Sequence, residues 1–432
     1  MNQTSWVASA NGHPDFPLQN LPFGVFRRAS SNEALRVGVA IGNEILDIAA
    51  CLAAGLLDDA SDDARRGAHA CSSPSLNALM ALGAPVRRAL RDALTRLLAS
   101  DVPVHLRQIE QHALVAQQEA ELFLPVQVGD YTDFYASVHH ATNVGAMFRP
   151  DQPLLPNYKW VPIGYHGRAS SIVLSGTPIT RPNGQRKGPA DEVPSVGPSR
   201  SLDYELELGA FVGTGTALGE TVPIAEAEDH LWGLCLLNDW SARDIQSWEY
   251  QPLGPFLAKN FASTISPWVV TLEALAPFRA PLAPRADGDP TPLPYLSDTG
   301  DQAHGGFALT VEVWLRTQRM REANEPAVRI SKGTSLDLYW SFAQMLTHHA
   351  MNGCNLRPGD LLGSGTVSGA APDSRGCLLE LTRRGAEPLS LPNGETRGFL
   401  EDGDEVTLSA FAEREGAVRI GFGFCHGVIA AR

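Results

Sequence analysis

The chain has 432 residues, more than one ordinary domain of about 150 residues accommodates, which suggests two or three. Apolar residues make up 44%, enough for a large core and enough to exclude general disorder. A net charge of −14 argues against a nucleic-acid partner and against anionic membrane surfaces.

The longest strongly apolar stretch, Ile48–Leu57, falls far short of the ~20 residues of a membrane span. The start, Met1-Asn2-Gln3-Thr4, lacks the basic-then-apolar pattern of a signal peptide, and a cytoplasmic location is expected. Six cysteines (Cys51, Cys71, Cys235, Cys354, Cys377 and Cys425) show no CxxC spacing and suit buried, reduced thiols. With 40 glycines and 31 prolines, above the roughly 12% average for the pair, the chain should be β-rich and rich in turns.

In chain order, Phe23–Arg28 reads as a strand, and Arg36–Ile41 with Glu44–Ile48 reads as a hairpin around Gly42-Asn43. Val86, Leu90, Leu94 and Leu97–Leu98 recur at helical spacing, with Pro85 near the helix start. This first part, residues 1–124, holds no cluster of catalytic residue types. From Val126 onward strand-like runs alternate with Gly/Pro loops, two of them long: Arg181–Ser201 and Ala276–Gly306. The second part, residues 125–432, reads as mainly β with inserted helices.

Three segments carry chemistry. In Asp130–Arg149, Asp133 and Tyr135 share a face if extended, and Ser137 can cap a helix that carries His139 and His140. Adjacent helical residues point about 100° apart, so one histidine at most faces a given pocket. A histidine is the usual general base near neutral pH, although surface histidines are the commoner outcome for such a pair.

In Leu202–Leu208 the alternation is complete. Leu202, Tyr204, Leu206 and Leu208 line one face of a strand, and Asp203, Glu205 and Glu207 the other, about 6.7 Å apart. If that face is solvated nothing follows. If it lines a pocket, the carboxylates need protons or a hard cation such as Ca²⁺, Mg²⁺ or Mn²⁺.

In His230–Tyr250, Trp232–Leu237 reads as a strand buried on both faces and ends in Asn238-Asp239. Ser241-Ala242-Arg243-Asp244 then reads as a capping-box helix start, placing Arg243, Gln246 and Tyr250 on one face. A cation in the first turn opposes the helix dipole, which makes sense if an anion binds; an exposed polar face with a paired Arg243 is the alternative.

Together these segments, DYTDFYASVHHATNVGAMFR, PIGYHGRASSIVLSGTPI, LDYELE, NDWSARDIQSWEYQPLGPFLAK, TISPWVV and HHAMNGCNLRPGDLLGSGTVSG, resemble the fumarylacetoacetate hydrolase family across most of residues 125–380. The resemblance implies an α+β fold: a small SH3-like N-terminal barrel with helices, followed by a C-terminal mixed β-roll. It implies a homodimer that hydrolyses a carbon–carbon bond of a small 1,3-diketo acid, 4-fumarylacetoacetate, giving fumarate and acetoacetate at the end of tyrosine and phenylalanine breakdown.

By position, the resemblance makes Asp133, Glu205, Glu207 and Asp239 ligands of Ca²⁺, and places a second cation, Mg²⁺, near Asp239, Lys259 and Ser263. The family's Gly-Thr pair there is Ala262-Ser263, which keeps the hydroxyl. It makes His140 the base, paired with Glu380, and Arg243, Gln246 and Lys259 the oxyanion donors. Substrate contacts would be Tyr135, Arg149, Tyr165, Gln246, Tyr250 and Thr366. The two long loops diverge from the family. A decarboxylase or lyase of the same superfamily is the nearest competing activity, and the His140–Glu380 pair favours hydrolysis over it. A non-catalytic cation-stabilised binding protein would have no use for base, donors and metal together.

Overall fold

Residues Phe23–Arg28 (β1), Arg36–Ile41 (β2) and Glu44–Asp47 (β3) form the antiparallel meander that the alternation predicts. Gly42 is required at the β2–β3 turn: its φ is +57°, and a Cβ there would stand 2.4 Å from the Ser9 hydroxyl. Leu114–Ala116 (β4) and Ala120–Phe123 (β5) complete a sheet of order β4-β3-β2-β1-β5. Its edge strands β4 and β5 do not pair, so the expected SH3-like barrel is an open half-barrel. The predicted helix runs over Gly83–Leu98 (α1) and buries Val86, Leu90, Leu94, Leu97 and Leu98. The computed structural model describes residues 3–103, 107 and 111–430; Met1 and Asn2 of the leading tetrapeptide lie outside the described residues.

The larger part is organised on one central sheet. Its strands are Tyr131–Phe134 (β6), Gly164–Gly167 (β7), Ile172–Leu174 (β8), Leu206–Val212 (β9), Leu231–Asp239 (β10), Ser263–Ile265 (β11) and Leu361–Gly363 (β12). They lie in the order β7-β6-β12-β9-β10-β11-β8, with Val270–Thr271 paired to β10. β9 and β10 are buried at every residue. The reason is that both faces of the sheet are covered.

Leu234 and Leu236 of β10 join a core shared with a second five-stranded sheet, through Val311, Val313, Val406, Leu408 and Phe422. Cys235 and Leu237, pointing the other way, join a core with Val25, Leu90 and Leu94 of the N-terminal part. The N-terminal layer is also stitched on by polar bonds. Phe23 and Val269 exchange backbone hydrogen bonds of 2.9 and 2.8 Å, and Arg87 grips Glu273 with two nitrogens while donating to the Leu231 carbonyl at 2.9 Å.

Several sequence expectations need correction. The acidic strand is not continuous: Leu202–Asp203 pairs with Ser241–Ala242, and the chain joins the central sheet only at Leu206. The expected capping box is not formed, because Ala242 holds the N-cap position and the Ser241 hydroxyl donates to the Asp239 carbonyl at 3.0 Å. The Arg181–Ser201 stretch contains a hairpin, Asn183–Arg186 with Ser195–Pro198. Short elements also interrupt Ala276–Gly306, among them the helix Thr299–His304. All six cysteines are free thiols, but Cys354 is only half-buried.

Candidate active site

Side-chain alternation puts the acids in one place. On β6, Asp133 shares the face of Tyr131; on β9, Glu207 shares the face of Phe211; on β10, Asp239 shares the face of Leu237. Tyr131, Phe211 and Leu237 all belong to the core that faces the N-terminal layer, so the three carboxylates emerge on that side. Glu205 precedes β9, its amide bonded to Asn238 Oδ1 and its carbonyl to the Asp239 amide. Ligand atoms of Asp133, Glu205, Glu207 and Asp239 all lie within 4.8 Å of one another.

Two observations test whether this cluster fits a cation. Asp133 Oδ1 and both oxygens of Glu207 are buried with no hydrogen-bond partner, a costly state for carboxylates unless a cation meets them. On β12, Gly363 leaves the room: a Cβ there would stand 2.7 Å from Asp133 Oδ1 and 3.1 Å from Glu207 Oε2. All-oxygen, hard donors of this kind suit Ca²⁺ or Mg²⁺. The residues fit a divalent ion.

The electrostatics agree. Burial first, then the neighbouring Asp239, push the Asp133 carboxyl well above the ordinary range, and burial with Asp133 and Asp239 does the same to Glu207. Glu205 goes the other way. Burial opposes its charge, but Lys259, Arg243 and His140 prevail and hold it low. Lys259 is paired with both Glu205 and Asp239, the latter at 2.6 Å, and these acids raise its ammonium pKa against the cost of burial. Arg243 is ion-paired with Glu205 at 2.7 Å and donates to Asp203 at 2.9 Å and to Gln246 Oε1 at 3.1 Å. Four carboxylates thus face two cations, one of which is shared with Asp203.

Val138–Phe148 (α2) is the helix that Ser137 caps, its hydroxyl accepting from the His140 amide at 3.2 Å. His140 is 3% exposed and its Nδ1 donates to Glu380 Oε2 at 2.6 Å. Burial raises Glu380, but His140, Asn143 and Ser368 outweigh it and bring its pKa down to about 2. Because Glu380 stays an anion that can only accept, Nδ1 is the nitrogen that donates to it, and Nε2 is the nitrogen left for another partner. That Nε2 stands 4.0 Å from Glu205 Oε1, so His140 borders the acidic cluster.

Most of the residues singled out from sequence meet here. Tyr135 packs edge-on against His140, ring centroids 5.3 Å apart. The Tyr165 hydroxyl donates to Asp239 at 2.9 Å, as does that of Ser263. Gln246, with its oxygen taken by Arg243, keeps its NH₂ to donate, and Arg243 Nη2 is buried without a partner. Thr366 Oγ1 is likewise buried and unpartnered, next to Gly365, whose Cβ position is 2.9 Å from Tyr135 Cα. Arg149, at the end of α2, instead donates to the Pro153 carbonyl at 3.2 Å, and Tyr250 sits half-buried at the end of the Arg243–Glu249 helix (α3). Neither is bonded to the cluster.

Sequence reasoning missed a set of donors to Glu380: Asn143 Nδ2 at 2.8 Å, Ser368 Oγ at 2.8 Å and Cys377 Sγ at 3.2 Å. Asn143 could have been found, since it lies three residues from His140 on the same helix face. Alternation put Asp203 on the face of Glu205 and Glu207, and the structure separates it from them. That carboxylate is turned away from the cluster and accepts from the amides of Leu378 and Leu379, at 2.8 and 2.9 Å. It therefore links Arg243 to the short helix Leu378–Leu381 that carries Glu380.

A half-barrel followed by a β-roll, with a buried carboxylate cluster beside a His–Glu pair, defines the class to compare. A family model described as "Fumarylacetoacetate (FAA) hydrolase C-terminal" matches residues 130–429, and one described as "Fumarylacetoacetase N-terminal" matches residues 19–125. The chain belongs to the fumarylacetoacetate hydrolase family. Among curated relatives it is 49% identical to the fumarylacetoacetase of Caenorhabditis elegans over 422 residues, covering 96% of each chain. It is 48% identical to that of Arabidopsis thaliana over 418 residues, covering 96% and 95%, and 46% identical to that of Homo sapiens over 421, covering 96% of each. A solved fumarylacetoacetate hydrolase from Exiguobacterium antarcticum shares the fold, with a TM-score of 0.51, 17% identity, and coverage of 95% of this chain and 100% of that one.

Proposed function

We propose that this chain hydrolyses 4-fumarylacetoacetate to fumarate and acetoacetate, a reading supported by its relatives, each named a fumarylacetoacetase. The observation that carries the proposal is the juxtaposition of an ionised Glu380, a His140 whose Nε2 is turned to the acidic cluster, and carboxylates with orphaned oxygens. His140 Nε2 takes a proton from a water that attacks the C4 carbonyl carbon, while Glu380 holds the resulting imidazolium. The alkoxide that forms is met by Arg243 Nη2, the Gln246 amide and Lys259 Nζ; loss of one such donor costs about 3 kcal/mol of barrier. The carbon–carbon bond then breaks toward the acetoacetate carbon, which takes the proton back from His140, and the new fumarate carboxyl releases the other water proton to solvent. Water and substrate are thereby fully accounted for in the two products and the released proton.

Asp133, Glu205, Glu207 and Asp239 would hold the divalent cation, which we assign as Ca²⁺; when bound it supplies positive charge against the enolate character of the leaving group. The second cation, Mg²⁺ near Asp239, Lys259 and Ser263, draws no support from those side chains. They satisfy one another, and an ammonium stands among them. Tyr135, Arg149, Tyr165, Tyr250 and Thr366 complete the substrate pocket in this reading, Arg149 as partner of a terminal carboxylate.

In this reading the chain divides into units 1–124 and 125–432, a division supported by the strands of the first sheet all preceding residue 125. A cytoplasmic homodimer completes the proposal, and exposed Leu253, Phe256 and Leu257 beside Trp248 offer an apolar contact surface. No helix among the described residues is long and apolar enough to cross a membrane.

The test is the loss of ultraviolet absorbance of the diketo acid. Chelation should abolish turnover and Ca²⁺ or Mg²⁺ restore it, while His140→Ala should stay inactive with either ion. Full turnover in the chelated enzyme, or in His140→Ala, would remove the assignment.

A further inference from the structure

Arg285 lies in the long Ala276–Gly306 stretch, in a run without helix or strand, and makes no contact with the cation cluster or the oxyanion donors. Its guanidinium lies over two aromatic rings, 4.3 Å from the centroid of Tyr339 and 4.7 Å from that of Trp340. Its Nη1 reaches three oxygens: the carbonyls of Lys159 at 3.0 Å and Pro290 at 3.1 Å, and the Tyr339 hydroxyl at 2.5 Å. A second tie joins the same two segments, because Lys159 is paired with Asp289, a carboxylate whose side chain is only 5% exposed.

What this arrangement holds is the turn around Tyr158. That turn has few regular bonds of its own, namely Tyr158 to Leu155 at 3.1 Å and Trp160 and Val161 to Asn157 at 3.0 and 3.2 Å. Tyr158 is buried, its ring 6.2 Å from Tyr339 and edge-on to Tyr135 at 5.8 Å. Its hydroxyl donates to the Tyr135 carbonyl at 2.7 Å, while the Tyr135 amide donates to Ile163 at 2.9 Å. The strand end that carries Tyr135 is therefore fixed on both backbone groups by the segment that Arg285 anchors. The Tyr135 ring then meets the edge of His140.

We infer that Arg285 is a positioning residue: by clamping the Lys159 turn against Tyr339 and Trp340, it sets Tyr158, and through it the placement of Tyr135 beside His140. A guanidinium spreads its charge over a group broad enough to meet two rings and still donate to several oxygens, which the compact ammonium of lysine cannot do, so lysine is a poor substitute. This inference rests on the reading that Tyr135 contacts the substrate.

Three variants of the full-length protein test it. Arg285→Met keeps the stem and loses the fork, Arg285→Lys keeps the charge, and Tyr158→Phe keeps the ring and loses one hydroxyl. The expected result is a kcat/KM about tenfold lower in Arg285→Met, carried mainly by KM, with Arg285→Lys giving little rescue. Tyr158→Phe should shift KM in the same direction, and the double variant Arg285→Met/Tyr158→Phe should lose no more than the worse single one, since both act through one contact chain. Unchanged KM and kcat in folded Arg285→Met, or strictly additive losses, would overturn the inference.

Hydrogen exchange supplies a readout independent of turnover. The amides of residues 157–163 and of Tyr135 should exchange faster in Arg285→Met, with those of β9 and β10 unchanged; unaltered protection at Tyr135 would overturn the clamp. If the unaltered protein fails to consume the diketo acid, the functional reading falls, and the exchange comparison still decides the clamp.

Discussion

At the scale of single residues, Glu380 is the most informative group. Its carboxylate is fully buried, yet four donors hold it ionised, and one of them, Cys377, remains a thiol because burial and Glu380 itself push its pKa up. With a folded pKa of about 2 against 4.5 for the ordinary side chain, Glu380 contributes stability above pH 4.5 that is lost as pH falls through 2. The contribution is on the order of 3 kcal/mol. Glu380→Gln should therefore flatten that part of the acid limb of the stability curve, measured by urea unfolding between pH 5 and pH 2. It should also lower kcat by about 10²–10⁴-fold at pH 7, because an amide cannot hold the imidazolium. Equal acid sensitivity in variant and parent would show that Glu380 is not held ionised by these partners.

At the scale of elements, the site depends on where strands end and which face each end presents. Alternation along Leu202–Leu208 and the apolar run Trp232–Leu237 made Glu205, Glu207 and Asp239 visible in the sequence, because period-two patterning states which residues share a face. The interruption between Asp203 and Leu206 was not visible. It depends on Ser241–Ala242 and on Asn238, partners more than thirty residues away that no local pattern encodes. Ser368 and Cys377 escaped for a similar reason: they come from a Gly/Ser-rich stretch with no period, and only the tertiary fold brings them to Glu380.

Gly363 carried no sequence signal either, although it faces the cluster from β12. Gly363→Ala should cost cation affinity by at least tenfold, since a methyl group 2.7 Å from Asp133 Oδ1 forces a ligand aside. Calorimetric titration with Ca²⁺ measures this directly, and an unchanged affinity would mean that the carboxylates can move away freely.

At the scale of the whole molecule, the central sheet is covered on both faces, and the acid-bearing face is the one closed by the N-terminal layer. Arg87 is the polar key to that closure. It is buried in α1, yet it satisfies Glu273 and the Leu231 carbonyl on the far side of the seam. Arg87→Met should destabilise the fold by about 3 kcal/mol, because the Leu231 carbonyl loses its donor and Glu273 keeps only Arg88, at 3.5 Å. The urea midpoint reports it, and a midpoint within error of the parent would show that the seam is held by apolar packing alone. The layer that Arg87 anchors supplies none of the side chains assigned to the reaction, so turnover serves as a gauge of docking as well as of chemistry. A substitution in the half-barrel can silence the enzyme while leaving every reacting group intact. Excess divalent ion would restore such a variant, by favouring the closed and loaded form through mass action, whereas it could never restore one that lacks His140.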